Sequence, residues 1–413
     1  MSQTAPSAAP GPGTAPLKVF VHIGAPKTGT TFVQSVLWRN REALATDGVL
    51  YPYETRHEHF RAMLDARELG WGAKPRSFSR GAWEAVAKRA TAWNGHTVVL
   101  GNEILGGATE PQIRRLVDSL APAEVHVVFT ARDLARQLVS DWQEHIKHRH
   151  TITLEDFVDE LIERGFEARR PFGEMFWGLH DADHVLGRWS KIVPSDRIHL
   201  VTLPRPGATG NPLWERFCSV TGLDPQHYSL DVRRSNPSLG RAEAEVLRRL
   251  NRRVAKLEPP HYDALVRMRL TGTALKGKGG RLVLPEGRMP RVAERSRTMV
   301  DALAGSKYDV VGDIEELMPR PEDHTGYVPT KSVRARTMLT ISIRMNAALL
   351  RIAAGERDRT RVLREELGDI PPRPEDVPDE HAEQGQHVRL RDLGREAAQE
   401  LGRRFRRPGR DRG

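Results

Sequence analysis

The sequence predicts an α/β fold, a parallel sheet flanked by helices. Short apolar runs bounded by turn residues recur through the first half of the chain, as strands buried on both faces require. Stretches with helical spacing separate them, the alternation that builds a parallel sheet. No internal repeat competes with that reading.

The runs are residues 19–23, 48–51, 97–100, 125–130 and 198–203. After the first, Phe32, Val33, Val36 and Leu37 fall on one helical face. Connections of this length suit right-handed crossovers. Residues 52–94 and 151–188 are too long for plain connections and hold Trp71, Trp83, Trp93 and Trp177. Insertions of this kind build pockets beside a sheet. Core packing is the commoner use of tryptophan and is the favoured expectation.

The compact domain is expected over residues 17–328, with Pro319, Pro321 and Pro329 marking its end. Residues 1–16 read as a disordered leader, with neither the basic nor the apolar region of a signal peptide. Residues 329–413 read as a basic tail, helical and partly disordered. In it, residues 333–367 carry an apolar stripe of Met338, Ile341, Met345, Leu349 and Ile352, interrupted by Arg344 and Arg351. Docking or self-association through that helix is the favoured reading, and weak binding to an anionic membrane surface the other. Residues 370–383 are rich in proline and acid and read as disordered, whereas 388–405 suit a short helix.

The net charge of +10 is unevenly placed. Residues 331–364 carry +7, residues 365–383 carry −7, and the rest of the tail carries +5. The balance suggests anionic partners, but no interleaved aromatic and basic motif points to nucleic acid. Charged residues at 29% and hydrophobic ones at 38% describe a soluble globular chain. No apolar run reaches the ~18 residues of a transmembrane helix. The single cysteine, Cys218, excludes an internal disulfide and a cysteine-based zinc site, so cytoplasm is the expected compartment.

The first run leads into Gly24-Ala25-Pro26-Lys27-Thr28-Gly29-Thr30-Thr31 and then a helix. Strand, glycine-containing loop and helix form a phosphate cradle, because loop N–H groups and the helix N-terminus converge on an anion. Against the Walker pattern G-x-x-x-x-G-K-[ST], Gly24, Gly29 and Thr31 are in place. Thr30 stands where the lysine belongs, and Lys27 has moved inside the loop.

Pro26-Lys27-Thr28-Gly29-Thr30-Thr31 resembles the 5′-phosphosulfate loop of the sulfotransferases, specifically the P-loop-like, bacterial type. These enzymes use 3′-phosphoadenosine 5′-phosphosulfate (PAPS) as donor. The resemblance implies a P-loop-like α/β sheet and in-line sulfuryl transfer without a metal. It implies that Lys27, Gly29, Thr30 and Thr31, with Thr28 in the same loop, hold the 5′-phosphate and sulfuryl group.

The run 125–130 ends in Ala131-Arg132-Asp133 and a helix through Ser140. Arg132 lies at a strand's C-terminal edge, where open α/β sheets bind ligands, and Asp133 can cap the helix. Ser140 lies two helical turns on, roughly 12 Å along the axis. Arg132 and Ser140 are similar in order and spacing to the family's 3′-phosphate pair, and arginine's planar fork suits phosphate. Two further stretches, 275–281 and 234–238, are candidates for the family's late basic loop, although a surface loop is the favoured reading of both.

Transfer to a hydroxyl requires a base. Glu103 follows the run 97–100, where the family places its catalytic histidine or another residue. His57 and His59 are the alternatives. His22 reads as a core histidine, and His145, His148 and His150 as a solvated cluster at a helix end. The competing function is a P-loop kinase or NTPase with a degenerate Walker loop, and it would need Asn102 to stand for the Mg²⁺-binding aspartate. The expected acceptor is a hydroxylated small molecule or a carbohydrate.

Overall fold

The computed structural model describes residues 16–71, 74–232, 238–277 and 279–366. The expected leader, but for its last residue, lies outside them, as do the stretches 370–383 and 388–405. The chain divides into two units, residues 1–349 and 350–413.

The first unit is built on six strands: β1 (Lys18–Gly24), β2 (Val49–Leu50), β3 (Thr97–Gly101), β4 (Glu124–Ala131), β5 (Ile198–Thr202) and β6 (Asp309–Val311). They run in parallel in the order β2-β3-β1-β4-β5-β6, with helices on the flanks. The five apolar runs are β1 to β5. The sixth strand was not expected, because three residues at a half-exposed edge form no apolar run.

The central strands are mostly apolar because both faces are covered, with His22, His126, Thr130 and His199 among their buried polar residues. Val19, Val21, Ile23, Val98, Val127 and Phe129 are wholly buried. Trp142, Trp177, Trp189 and Trp214 fill the space between sheet and helices. Trp177 is therefore core, as expected.

Gly101 shows how closely β1 and β3 approach. It sits at φ +132°, and a Cβ there would stand 2.2 Å from the His22 carbonyl oxygen. Only glycine fits that strand end.

The helix Ala335–Glu366 starts in the first unit and spans the basic stretch. Ile341, Met345 and Ala348 are buried in that unit, and Arg344 pairs with Glu243 at 3.0 Å. In the second unit the helix carries an Arg359–Glu356 pair at 3.1 Å. Among the described residues no helix is long and apolar enough to cross a membrane.

Candidate functional site

From β1 the chain crosses to the edge strand β2, comes back to β3 beside β1, and then crosses to β4 on the other side of β1. The C-terminal ends of β1, β3 and β4 thus meet at the topological switch point, where open sheets place ligands. A cleft of about 1080 Å³ opens there. Lys27, Gly29, Thr30, Thr31, Glu103, Arg132 and Ser140 all line it.

The loop after β1 is pinned from below. Ala25 N–H donates to the Thr130 carbonyl at 2.6 Å. The hydroxyls of Thr28 and Thr130 touch at 2.6 Å, with the Ala25 and Gly24 carbonyls accepting at 2.5 and 2.8 Å. The Thr28 side chain is buried and belongs to this network rather than to the cleft. Its backbone N–H is what it can offer an anion.

The tip of the loop turns through two left-handed residues, Lys27 at φ +65° and Gly29 at φ +88°. For Lys27 that conformation costs roughly 1–2 kcal/mol. Gly29 then caps the helix Thr30–Arg39. The first bonds into the Gly29 carbonyl come from Phe32 and Val33, so the N–H groups of Thr30 and Thr31 precede the ladder and are free for an anion.

Arg132 follows β4, and Asp133 caps the helix Leu134–Lys147 through the Arg136 N–H at 2.9 Å. Arg132 donates from Nε to Gln137 Oε1 at 2.8 Å and from Nη2 to the Arg136 carbonyl at 3.0 Å. Burial lowers its pKa to about 10, so the guanidinium is poorly hydrated and favours an anion.

Glu103 opens a short 3₁₀ turn, Glu103–Gly107, capped by the Asn102 side chain. Two guanidiniums hold that turn by its carbonyls. Arg67 donates to Ile104 and Gly107 at 2.9 and 2.7 Å, and Arg188 donates to Gly106 and Ala108 at 2.7 and 3.1 Å. Glu103 Oε2 accepts from Gln34 Nε2 at 3.2 Å. Neither His57 nor His59 lines the cleft. His59 is packed against Tyr53, and burial lowers it to about 4.

The helix Leu134–Lys147 brings a second set of groups that the sequence reading did not place. Asp141 and Glu144 line the cleft beside Ser140. Asp141 faces His145 and His180, each at 3.3 Å. Glu144 faces Lys27 at 2.5 Å, Lys147 at 3.5 Å and His148 at 3.6 Å. Burial pushes both carboxyls up, but the histidines around Asp141 and the His148, Lys27 and Lys147 groups around Glu144 overcome it. Both stay well below the carboxylate range.

Of the histidines at the helix end, only His145 departs fully from the expected solvated cluster, whereas His148 and His150 are half-buried. His145 is buried, and burial lowers His150 to about 4. The signal was the i,i+4 spacing of Asp141 with His145 and of Glu144 with His148. Among the described residues, no group of three His, Cys, Asp or Glu side chains is placed to hold a metal.

Of the late basic stretches, 234–237 and Lys278 lie outside the described residues. Ser238 lines the cleft. The described part of 275–281 packs on the start of the helix Arg241–Arg253: Arg241 N–H donates to the Gly280 carbonyl at 2.9 Å, and Gly279 N–H donates to Glu243 Oε2 at 3.1 Å. Phe60, Trp71, Met175 and Leu179 add apolar lining to the cleft. Trp71 thus went to the pocket rather than the core.

No family profile and no curated protein matches the chain. A sulfotransferase from Alicyclobacillus acidocaldarius, known from its crystal structure, is 14% identical over 62% of this chain and 98% of that one, with a TM-score of 0.38.

Proposed function

We propose that the chain is a sulfotransferase that moves a sulfuryl group from PAPS to a hydroxyl or amine of an acceptor. The observation that carries this reading is the shared cleft. A phosphate loop with its lysine displaced to Lys27 and an arginine–serine pair, Arg132 and Ser140, open onto it together.

In this reading Lys27 and the loop N–H groups of Thr28 to Thr31 hold the 5′-phosphosulfate, and Arg132 with Ser140 holds the 3′-phosphate. The acceptor oxygen attacks sulfur in line. The bond from sulfur to the bridging oxygen of the 5′-phosphate breaks, and that oxygen keeps the electron pair. Lys27 offsets the charge that develops there. Glu103, on the same cleft, takes the acceptor's proton. Thr30 and Asn102 replace the lysine and aspartate with which nucleotide triphosphatases hold phosphates and Mg²⁺, so the reading calls for no metal. The apolar lining that Phe60, Trp71, Met175 and Leu179 supply suits the ring or sugar face of a small acceptor.

Calorimetry with 3′-phosphoadenosine 5′-phosphate (PAP), in the presence of chelator, tests the donor assignment. Micromolar affinity is expected, about 8 kcal/mol of binding free energy. Tighter binding of ATP–Mg²⁺ would instead favour a P-loop kinase or NTPase.

A further inference from the structure

One buried side chain touches both halves of the proposed donor site. Gln137 lies on the helix Leu134–Lys147 and is 2% exposed. Its amide makes contacts to Arg132 Nε at 2.8 Å, to the Pro26 carbonyl at 2.7 Å and to His180 Nδ1 at 2.6 Å. Pro26 belongs to the phosphate loop and Arg132 to the edge of β4. His180 belongs to the acid–histidine group in the cleft wall.

The chemistry of the partners fixes the direction of every bond. Arginine only donates, so the atom facing Arg132 is the amide oxygen. The amide nitrogen therefore faces the other two partners. The Pro26 carbonyl only accepts, which takes one N–H. The second N–H points at His180 Nδ1, which must accept it. The ring proton of His180 is then on Nε2, directed at Asp141 Oδ1 at 3.3 Å. The chain of donors and acceptors runs from Arg132 to Asp141 with no choice left open.

The same bonds orient Arg132. Its Nε and Nη2 edge is committed to Gln137 Oε1 and the Arg136 carbonyl. Among the described residues Nη1 has no protein partner, and Arg132 lines the cleft. The end of the guanidinium is thus the fork left for a ligand.

Resting on the donor reading above, we propose that Gln137 is the positioning residue that sets the two phosphate-binding elements at a fixed separation. It makes the site selective for a nucleotide phosphorylated at both the 5′ and 3′ positions. It touches no substrate. Its amide acts through Arg132 at one end and through the Pro26 carbonyl at the other. With the amide absent, Arg132 Nε–H loses its acceptor, and the Pro26 carbonyl and His180 Nδ1 lose their donors. The guanidinium and the loop then move independently, and the 3′-phosphate loses its preorganised fork.

The test is Gln137→Met in the full chain, a change of similar volume. Affinity is measured by calorimetry for PAP and for adenosine 5′-phosphate, alongside the melting temperature. The ratio of the two affinities isolates the 3′-phosphate, and a merely structural role leaves that ratio unmoved. It should fall roughly tenfold to hundredfold, the range of one hydrogen bond to a charged group. A folded variant with the ratio of the unaltered protein overturns the proposal. Should the variant fail to fold, the side-chain amide signals of Gln137 in the unaltered protein give the answer by NMR. They should move on addition of PAP and far less on adenosine 5′-phosphate; equal movement overturns the proposal. An unaltered protein with no preference for PAP overturns the donor reading together with this one, whereas a preference that survives in the variant overturns only the role of Gln137.

Discussion

Lys27 Nζ stands 2.5 Å from Glu144 Oε2, although the two residues are 117 positions apart. The side chains are 23% and 30% exposed, so water screens the pair only in part. Lys27 is therefore already held by a carboxylate. In the proposed function, a phosphosulfate would have to compete with Glu144 for that charge. Glu144→Gln should release Lys27 and tighten PAP binding roughly fivefold, about 1 kcal/mol for a partly screened pair. Calorimetry checks it, and weaker binding would show that Glu144 supports the donor site instead.

The first turns of the helix Ala335–Glu366 belong to the unit that ends at Leu349. Ile341 and Met345 are buried there, each worth about 1.5–3 kcal/mol. Arg344 also faces the buried carboxylate of Glu243. A chain ended after residue 330 should melt several degrees lower, at roughly 2–4 °C per kcal/mol. A chain ended after residue 349 should keep the melting temperature of the first unit. Equal melting of both truncations would show that the helix contributes nothing to the fold.

His22 sits inside β1, wholly enclosed, with Nε2 3.3 Å from the Thr130 hydroxyl. Burial lowers its pKa to about 4, against 6.5 for the free side chain. The unfolded chain therefore takes up a proton that the folded one refuses. This stability is fully present above 6.5 and is lost as pH falls toward 4, a difference of roughly 3 kcal/mol. Urea midpoints measured between neutral pH and about pH 5 should fall accordingly. His22→Gln should flatten that fall, and an unchanged slope would assign the acid sensitivity to other groups.

The central strands were legible because each is a short, mainly apolar run between turn residues. The strand Asp309–Val311 was not, because its three residues lie at an edge and need no such run. The loop from Gly24 to Thr31 was legible because its chemistry is contiguous in sequence. Gln137 was hidden: its partners Pro26 and His180 lie 111 and 43 residues away, and only the fold brings them together. The carboxylates were closer to hand. Asp141 and Glu144 each precede a histidine by four residues, a spacing that puts each pair on one face of a helix. His145 is buried through that relation, and His148 stays half-exposed beside Glu144.

Glu103 is the group on which the proposed chemistry turns. It opens the turn after β3, held by carbonyl bonds from Arg67 and Arg188, and its carboxylate lines the cleft that Lys27 also lines. Gln34 contacts one of its oxygens, at 3.2 Å, and among the described residues the other has no hydrogen-bond partner and is left for an acceptor's proton. Glutamine keeps the shape and the contact but cannot accept that proton as a base. Glu103→Gln should therefore leave PAP affinity unchanged while slowing turnover on the order of 10²–10⁴-fold, the reach of general-base catalysis. Lys27→Ala should impair both quantities, because the same ammonium meets the donor before and during transfer. Turnover assays with labelled PAPS, paired with calorimetry, separate the two effects. His59 is enclosed beside Tyr53 and lies off the cleft, so His59→Ala should not reproduce the loss seen with Glu103→Gln. Near-normal turnover in Glu103→Gln, with turnover abolished in His57→Ala or His59→Ala, would move the base to that histidine and leave the donor site where it is.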